Sequence, residues 1–386
     1  MIRYLTAGES HGPAISGILE GMPANVPINF ERVQHELQRR MQGFGRGGRM
    51  RIETDRIETL SGIRFSKTLG SPISFLIRNR DWENWQQEMA IETGKTGKEF
   101  TKPRPGHADL SGSLKYKFDD LRNVLERSSA RETAIRVAVG AFIKELLYAF
   151  DIQIFSHIIQ IGTVKIDEEK IKDKLRGDIN QLADSSEVRC LDFNIAQQMI
   201  ELIKETKSAG DTLGGIIQLI IRNVPPGIGS YVHWDRKLGS QLAAAIMSIN
   251  AIKGVQIGKG FSGAHLFGSE FHDEIYWDKN KYHRRTNNAG GIEGGMSTGE
   301  DIVVYIMKKP IPTLMKPLES VDIKTKESFK AHKERSDITA VPAAGVIAEA
   351  VVAPVIANAL LEKFGSDTID DIQLSYRNYL KRIYGS

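Results

Sequence analysis

Five arginines, Arg39, Arg40, Arg46, Arg49 and Arg51, fall within thirteen residues and alternate with Gly43, Gly45, Gly47 and Gly48. Guanidinium forks match carboxylate and phosphate oxygens bidentately, and glycine lets the backbone bring its own N–H groups close to a ligand. The segment reads equally as a site for a small polyanion and as a solvated basic loop favoured by a helix C-terminus. A nucleic-acid patch is a third reading, with Phe44 as its one interleaved aromatic. His11 in the turn Gly8–Gly12 follows a predicted strand, where an imidazole can serve as a general acid or sit as an ordinary turn residue. His107 follows Pro105 and Gly106, with Arg104 and Lys115 nearby. Positive surroundings make a protonated imidazole the better acid; the alternative is a surface loop histidine. Arg127 and Arg131 flank Ser128 and Ser129 at a predicted helix start, where the dipole disfavours cations, and that conflict points to a bound anion. A glycine-rich loop, Asn287–Asp301, suits a planar or phosphorylated ligand. Asp337, beside Arg335, stands at the edge of a predicted core helix as a reactive carboxylate, a cap or an ion-pair partner.

These residues need elements to hold them. Short strands are predicted over Met1–Thr6 and Ala14–Leu19, and a helix begins after an Asn29 cap with Phe30, Val33, Leu37 and Met41 on one face. Strands follow at Arg56–Ile63 and Pro72–Ile77, then a loop over Gly94–Asp109. Ser129 and Glu132 are spaced as a capping box for a helix reaching Phe150. Ile152–Ile161, Gly214–Val224 and Glu300–Lys308 read as strands, and Ile195–Thr206, Arg236–Ser248, Ala343–Phe364 and Thr368–Ile383 as helices. Lys165–Cys190 is polar and is expected to lie on the surface. Strands and helices interleave without a βαβ period or a linker, so the expectation is one large α+β domain over residues 1–386.

Several function classes drop out. Gly43, Gly45 and Gly48 match G-x-G-x-x-G, but a helix precedes them and no helix follows. Gly94-Lys95-Thr96 ends like a P-loop, yet Met89 stands where its first glycine belongs. The nine histidines are scattered and Cys190 is the only cysteine, so neither a metal site nor a disulfide is read. With 52 basic and 48 acidic residues, bulk nucleic-acid binding is not the default. Polar Gly8 and Glu9 interrupt the N-terminus before any apolar core, so no signal peptide is read. Val341–Leu361 is interrupted by Glu349, Pro354 and Asn358, which favours a core helix over a membrane span. The cytoplasm is the expected compartment.

The segments GESHG, GFGRGGRM, RPGHADLSGSLKY, ERSSARET, SINAIKGV, NNAGGIEGGMSTG, KPIPT and ERSDITAVPAAG, taken in this order, resemble the chorismate synthase family along nearly the whole chain. One departure is Asn25, where the family often has glycine. The resemblance implies a single β-α-β sandwich domain, assembled as a homotetramer. It implies elimination of phosphate from 5-enolpyruvylshikimate 3-phosphate to give chorismate, the seventh step of the shikimate pathway, with reduced FMN as cofactor and no net redox change. On the matching positions, Ser10, Arg40, Arg46, Arg49 and Arg131 would bind the substrate. His11 would protonate reduced FMN, His107 the departing phosphate, and Asp337 would take the flavin N5 proton. Arg127, Ser128, Ser129, Asn250, Ala251, Gly294, Lys309, Pro310, Ile311, Pro312, Thr313 and Arg335 would hold FMN. Arg40 and Arg46 also match positions described as NADPH contacts, relevant if the chain reduces its own flavin; with no extra reductase segment, a separate flavin reductase is the expected source. A different FMN oxidoreductase and a nucleic-acid-binding protein remain the alternatives to be tested.

Overall fold

The computed structural model describes residues 1–47, 53–92, 97, 99–278, 281–331 and 337–385. Alternation of apolar and polar residues builds a first antiparallel sheet in the order Arg3–Ala7, Ala14–Glu20, Ile73–Arg78, Ile57–Thr59. Ile15, Leu19, Ile73, Phe75 and Ile77 face inward and are fully buried, while Leu5 and Ile18 lie on the exposed face. The second sheet runs Ile252–Ile257, Ile302–Lys308, Gly215–Arg222, Gln153–Ile161, Val164–Lys165, again antiparallel.

Helices fill the space between the sheets. Thr133–Tyr148 packs on the first sheet, Val341–Phe364 on the second, and Phe30–Met41 touches both helices. Both long helices are mainly apolar and are buried on nearly every side, Arg136, Lys144, Glu145 and Glu349 included. Val341–Phe364 is the one helix among the described residues with the length and apolarity to cross a bilayer, and most of it is enclosed by the fold. The two helices approach closely at Gly140, where a Cβ would stand 2.5 Å from Ala350. A single apolar core runs from Phe75 through Phe142 to Ile217 and Val304. This is the α+β class read from the sequence, in the β-α-β sandwich form that the family resemblance implies.

Three expectations need correction. The capping box does not form. Ser129 caps a 3-10 turn over Ala130–Glu132, accepting from the Arg131 N–H, and the helix proper starts at Thr133. The Glu132 carboxylate accepts from Thr6 Oγ1 at 3.2 Å instead. Lys165–Cys190 is not a surface excursion throughout: Ile171, Ile179, Ala183, Val188 and Arg189 are buried, because the segment closes over the second sheet. Third, Arg127 is not at a helix start. It sits in the last turn of a separate helix, Arg122–Ser128, where the dipole favours a cation. Asn25 adopts φ 65°, a left-handed conformation that asparagine tolerates better than most residues, so the departure from glycine is accommodated.

Candidate functional site

Asn29 caps the helix Phe30–Met41 by accepting from the Arg32 N–H at 3.0 Å, as its sequence predicts. Successive helical residues point about 100° apart, so Arg39 and Arg40 leave in different directions. Arg39 enters the core and forks onto Glu349 at 2.8 and 2.9 Å. Arg40 turns toward the first sheet, donating to Asp55 Oδ2, Thr133 Oγ1 and the Ala130 carbonyl, each at 3.1 Å. Asp55, fully buried, also pairs with Arg131 through its other oxygen. Arg131 Nε donates to Asn79 Oδ1 at 2.8 Å, and Glu53 lies 3.6 Å from its Nη2. Burial pushes the Arg40 guanidinium down to about 10; Asp55 opposes this, while Arg46 and Arg131 add to it. Two buried arginines thus share one bridging carboxylate.

His11 lies on the turn between the first two strands. Its Nδ1 is 2.8 Å from Glu126 Oε1, its backbone N–H donates to Glu126 Oε2 at 2.8 Å, and its ring stacks on Trp85 at 4.1 Å. Arg122 covers Trp85 and donates to Glu126 at 3.2 Å. Burial opposes ionisation of Glu126, yet the hydrogen bond and charge of His11 hold it below the usual carboxylate range. Ser10 Oγ donates to Ser129 Oγ at 3.0 Å, and Arg127 reaches the Thr6 and Gly8 carbonyls. Asn250 donates to the Ser128 carbonyl at 3.1 Å, and the next residue, Ala251, at φ 67°, accepts from Lys309 N–H at 2.9 Å.

Lys309 Nζ donates to the Gly106 carbonyl at 2.6 Å, tying this turn to His107. His107 Nδ1 is 2.6 Å from Asp109 Oδ1. Arg104 forks onto the same carboxylate and donates to Thr313 Oγ1 at 3.2 Å. Burial opposes ionisation of Asp109, but hydrogen bonds from His107 and Arg104 hold its carboxyl well below the usual range. Lys115, read from the sequence as part of the positive surroundings, is exposed on the Asp109–Tyr116 helix.

Asp337 closes the group. Its Oδ1 accepts from the Gly47 N–H at 2.6 Å and its Oδ2 lies 3.3 Å from Arg46. The neighbouring Ile338 N–H donates to the Gly45 carbonyl at 2.8 Å, which stitches the arginine-rich loop to the start of the core helix. Lys308 is buried nearby. Burial pushes its ammonium down to about 8, against Asp337 and reinforced by Arg46 and Lys309.

The structure therefore links Ser10, His11, Arg40, Arg46, His107, Arg127, Ser128, Ser129, Arg131, Asn250, Ala251, the Lys309–Thr313 loop and Asp337 through contacts or shared fields. Gly294 stands apart within this chain. Its hairpin, Ile292–Glu293 with Met296–Ser297, bonds to Ile228, Ser230 and Leu238. Arg49 and Arg335 lie outside the described residues. Sequence reasoning missed Glu53, Asp55, Asp109, Glu126 and Lys308. Lys308 carried a legible signal: period-two alternation puts it on the inward face with Ile302, Val304 and Ile306. Asp109 lies two residues beyond His107, within the same segment. Asp55 and Glu126 carry no local sign of their long-range partners.

Residues 2–361 match the sequence family described as chorismate synthase. The chain is 54% identical to a chorismate synthase of Alkaliphilus metalliredigens (strain QYMF), spanning 98% of this chain and 99% of that one. It is 52% identical to a chorismate synthase of Aquifex aeolicus (strain VF5), spanning 99% and 98%. A crystal structure of a chorismate synthase is similar with a TM-score of 0.80 at 41% identity, covering 100% of this chain and 99% of the other. With its eight motifs in order and its sandwich fold, the chain belongs to the chorismate synthase family.

Proposed function

We propose that the chain acts as a carbon–oxygen lyase that eliminates phosphate from 5-enolpyruvylshikimate 3-phosphate to form chorismate, with reduced FMN as cofactor. The observation that carries the substrate half of this reading is the state of Arg40 and Lys308. Both are buried, and both are pushed below their ordinary values by burial and by neighbouring cations. Arg46 and Arg131 stand beside them, and a substrate with one phosphate and two carboxylates suits such a cluster of cations. Arg40, Arg46 and Arg131, with Arg49 by resemblance, would clamp those groups.

His107, with Nδ1 engaged by Asp109, would present Nε2 to the departing phosphate oxygen as a general acid, beside the Arg104 guanidinium. His11 is held in the same manner by Glu126, with Asp81 4.0 Å from Nε2, and would deliver a proton to the cofactor from that nitrogen. Asp337, with one oxygen on a backbone N–H and the other toward Arg46, is a carboxylate placed to accept a proton.

The donor set fits FMN. The Ser128 and Ser129 residues, Arg127, the Asn250–Ala251 turn and the Lys309–Thr313 loop are joined by the contacts above, beside the buried Arg131 Nη2, which has no hydrogen-bond partner among the described residues. These residues would hold the phosphate and ring edges, with Arg335 by resemblance. When bound, reduced FMN supplies transient electron donation to the substrate. NADPH would enter through Arg40 and Arg46 only if the chain reduced its own flavin; a separate reductase is the proposed source. A cytoplasmic homotetramer is the proposed form.

Anaerobic incubation with substrate and reduced FMN tests the reading. Phosphate release with the flavin ending reduced is the expected result. Net oxidation of flavin in step with substrate would instead identify a flavin oxidoreductase. A second arm with oxidised FMN and NADPH is expected to release no phosphate.

A further inference from the structure

Asp109 is fully buried at the first turn of the helix Asp109–Tyr116, where a negative charge is favoured by the dipole. Arg104 fixes it from three directions. The Arg104 backbone N–H and Nε donate to Oδ2 at 3.0 and 2.8 Å, and Nη2 donates to Oδ1 at 3.1 Å. Those contacts already satisfy both oxygens, so the carboxylate cannot turn to follow a neighbour. The His107 contact is additional. It runs from Nδ1 to Oδ1 at 2.6 Å, in the short range of charge-assisted hydrogen bonds, from a ring that is itself only 17% exposed. The backbone that carries the ring is equally fixed. Gly106 turns at φ 80°, a conformation open to glycine, and Lys309 Nζ holds its carbonyl at 2.6 Å.

We infer that Asp109 is a positioning residue for His107: it engages Nδ1, which leaves Nε2, with Arg104 Nη2 3.4 Å away, as the nitrogen for the leaving group, and it supplies the counter-charge for a protonated ring. The role assigned to His107 rests on the reaction proposed above; the orientation and the counter-charge do not. Among the described residues the charged groups facing the ring are Asp109 and Arg104, with Lys309 one carbonyl away. Asp109 favours the imidazolium, while Arg104 and Lys309 disfavour it. Asp109 has the shortest contact of the three, so its removal is expected to dominate.

The test is Asp109→Asn, which keeps the shape and an oxygen able to accept from Nδ1 but removes the charge. The first readout is the titration of His107 followed by NMR in the ligand-free protein, with the signal assigned through His107→Gln. Loss of an adjacent opposite charge is expected to lower the midpoint by about 1–2 pH units. The second readout is turnover. It is expected to fall about 10- to 100-fold, with KM for the phosphorylated substrate little changed and with part of the activity restored in Asp109→Glu. An unshifted His107 midpoint in folded Asp109→Asn would overturn the inference. If that variant does not fold, the comparison moves to Arg104→Gln against Arg104→Gln/Asp109→Asn, which keeps the buried pair neutral. The midpoint must again be lower without the carboxylate, and equality would overturn the inference. Because the titration needs neither flavin nor substrate, its outcome stands apart from any failure of wild-type protein to release phosphate.

Discussion

Lys308 offers the sharpest test of the charge argument. The second sheet points it inward at the end of Ile302–Lys308, where it is 6% exposed and shares Asp337 with Arg46. Its ammonium is lowered from 10.5 to about 8. The folded chain therefore holds its proton less tightly than the unfolded chain does. Between pH 8 and the unfolded value the unfolded chain binds more protons, so this group makes stability rise with pH across that window. Below pH 8 the buried charge costs the ligand-free fold on the order of 3 kcal/mol, from a shift of about 2.5 units at 1.36 kcal/mol each. Lys308→Met keeps the length and removes the charge. Asp337 loses a partner in the exchange, which offsets part of the gain, so ligand-free protein is expected to gain roughly 1–3 kcal/mol at pH 7.

Urea unfolding of both proteins from pH 7 to 10.5 gives the measurement. The advantage of the variant should be largest at pH 7 and shrink toward the upper end, as the wild-type lysine loses its proton. Substrate binding, followed by calorimetry, should weaken about 10- to 100-fold, the equivalent of a lost charge-assisted hydrogen bond. A variant less stable than wild type at pH 7, or a difference independent of pH, would refute the claim that burying the Lys308 charge destabilises the ligand-free fold.

Other outcomes follow from the same coordinates. His107→Ala should cut turnover about 10²- to 10⁴-fold while substrate affinity changes little, and a wild-type rate would remove the leaving-group role. Glu349→Ala leaves Arg39, Lys144 and Arg189 short of a carboxylate in the core, at a cost of about 3–5 kcal/mol. At roughly 2.1 cal/mol/K per residue, that lowers the melting temperature of a 386-residue chain by roughly 4–6 °C, readable by calorimetry. Glu349 is held below the usual carboxylate range by Arg39 and Lys144 despite burial. Its contribution is therefore present above the unfolded value of about 4.3 and lost on acidification, so the variant should show a flatter acid limb. Gly140→Val would drive its side chain onto Ala350, 2.5 Å from the position of its Cβ, and should cost about 1–3 kcal/mol or more in a denaturant titration.

Local pattern carried most of the fold. The Asn29 cap, the alternation along both sheets and the predominance of apolar residues in Val341–Phe364 each act within a few residues, and each is legible. The failures share a different cause. Glu132 fits a capping box by spacing, but Thr6, 126 residues away in sequence, takes its carboxylate. Lys165–Cys190 looks solvated because it is polar, yet Arg189 and Asp184 turn inward to meet Arg39 and Glu349. Arg127 and Arg131 conflict with the dipole of a single helix, whereas the chain breaks at Ser129 and places Arg127 at a helix end instead. In the site, motifs revealed the cations and the histidines. Asp55 and Glu126 became visible only when the first sheet brought them to Arg131 and His11.

The adjacent arginines Arg39 and Arg40 show how the core and the site are joined. Arg39 meets a network in which Glu36, Asp184 and Glu349 face Arg39, Lys144 and Arg189, so positive and negative side chains are matched in number. Glu349 accepts from both helices that flank it and from Ser156 of the second sheet at 2.6 Å. This arrangement admits one rotation of the Phe30–Met41 helix about its axis, because a turn in either direction would leave a buried carboxylate unpaired. With Arg39 fixed, Arg40 must point about 100° away, onto Asp55 and toward Arg46 and Arg131. The matched network thus holds Arg40 in place, where burial and the neighbouring Arg46 and Arg131 push its guanidinium down against the pull of Asp55.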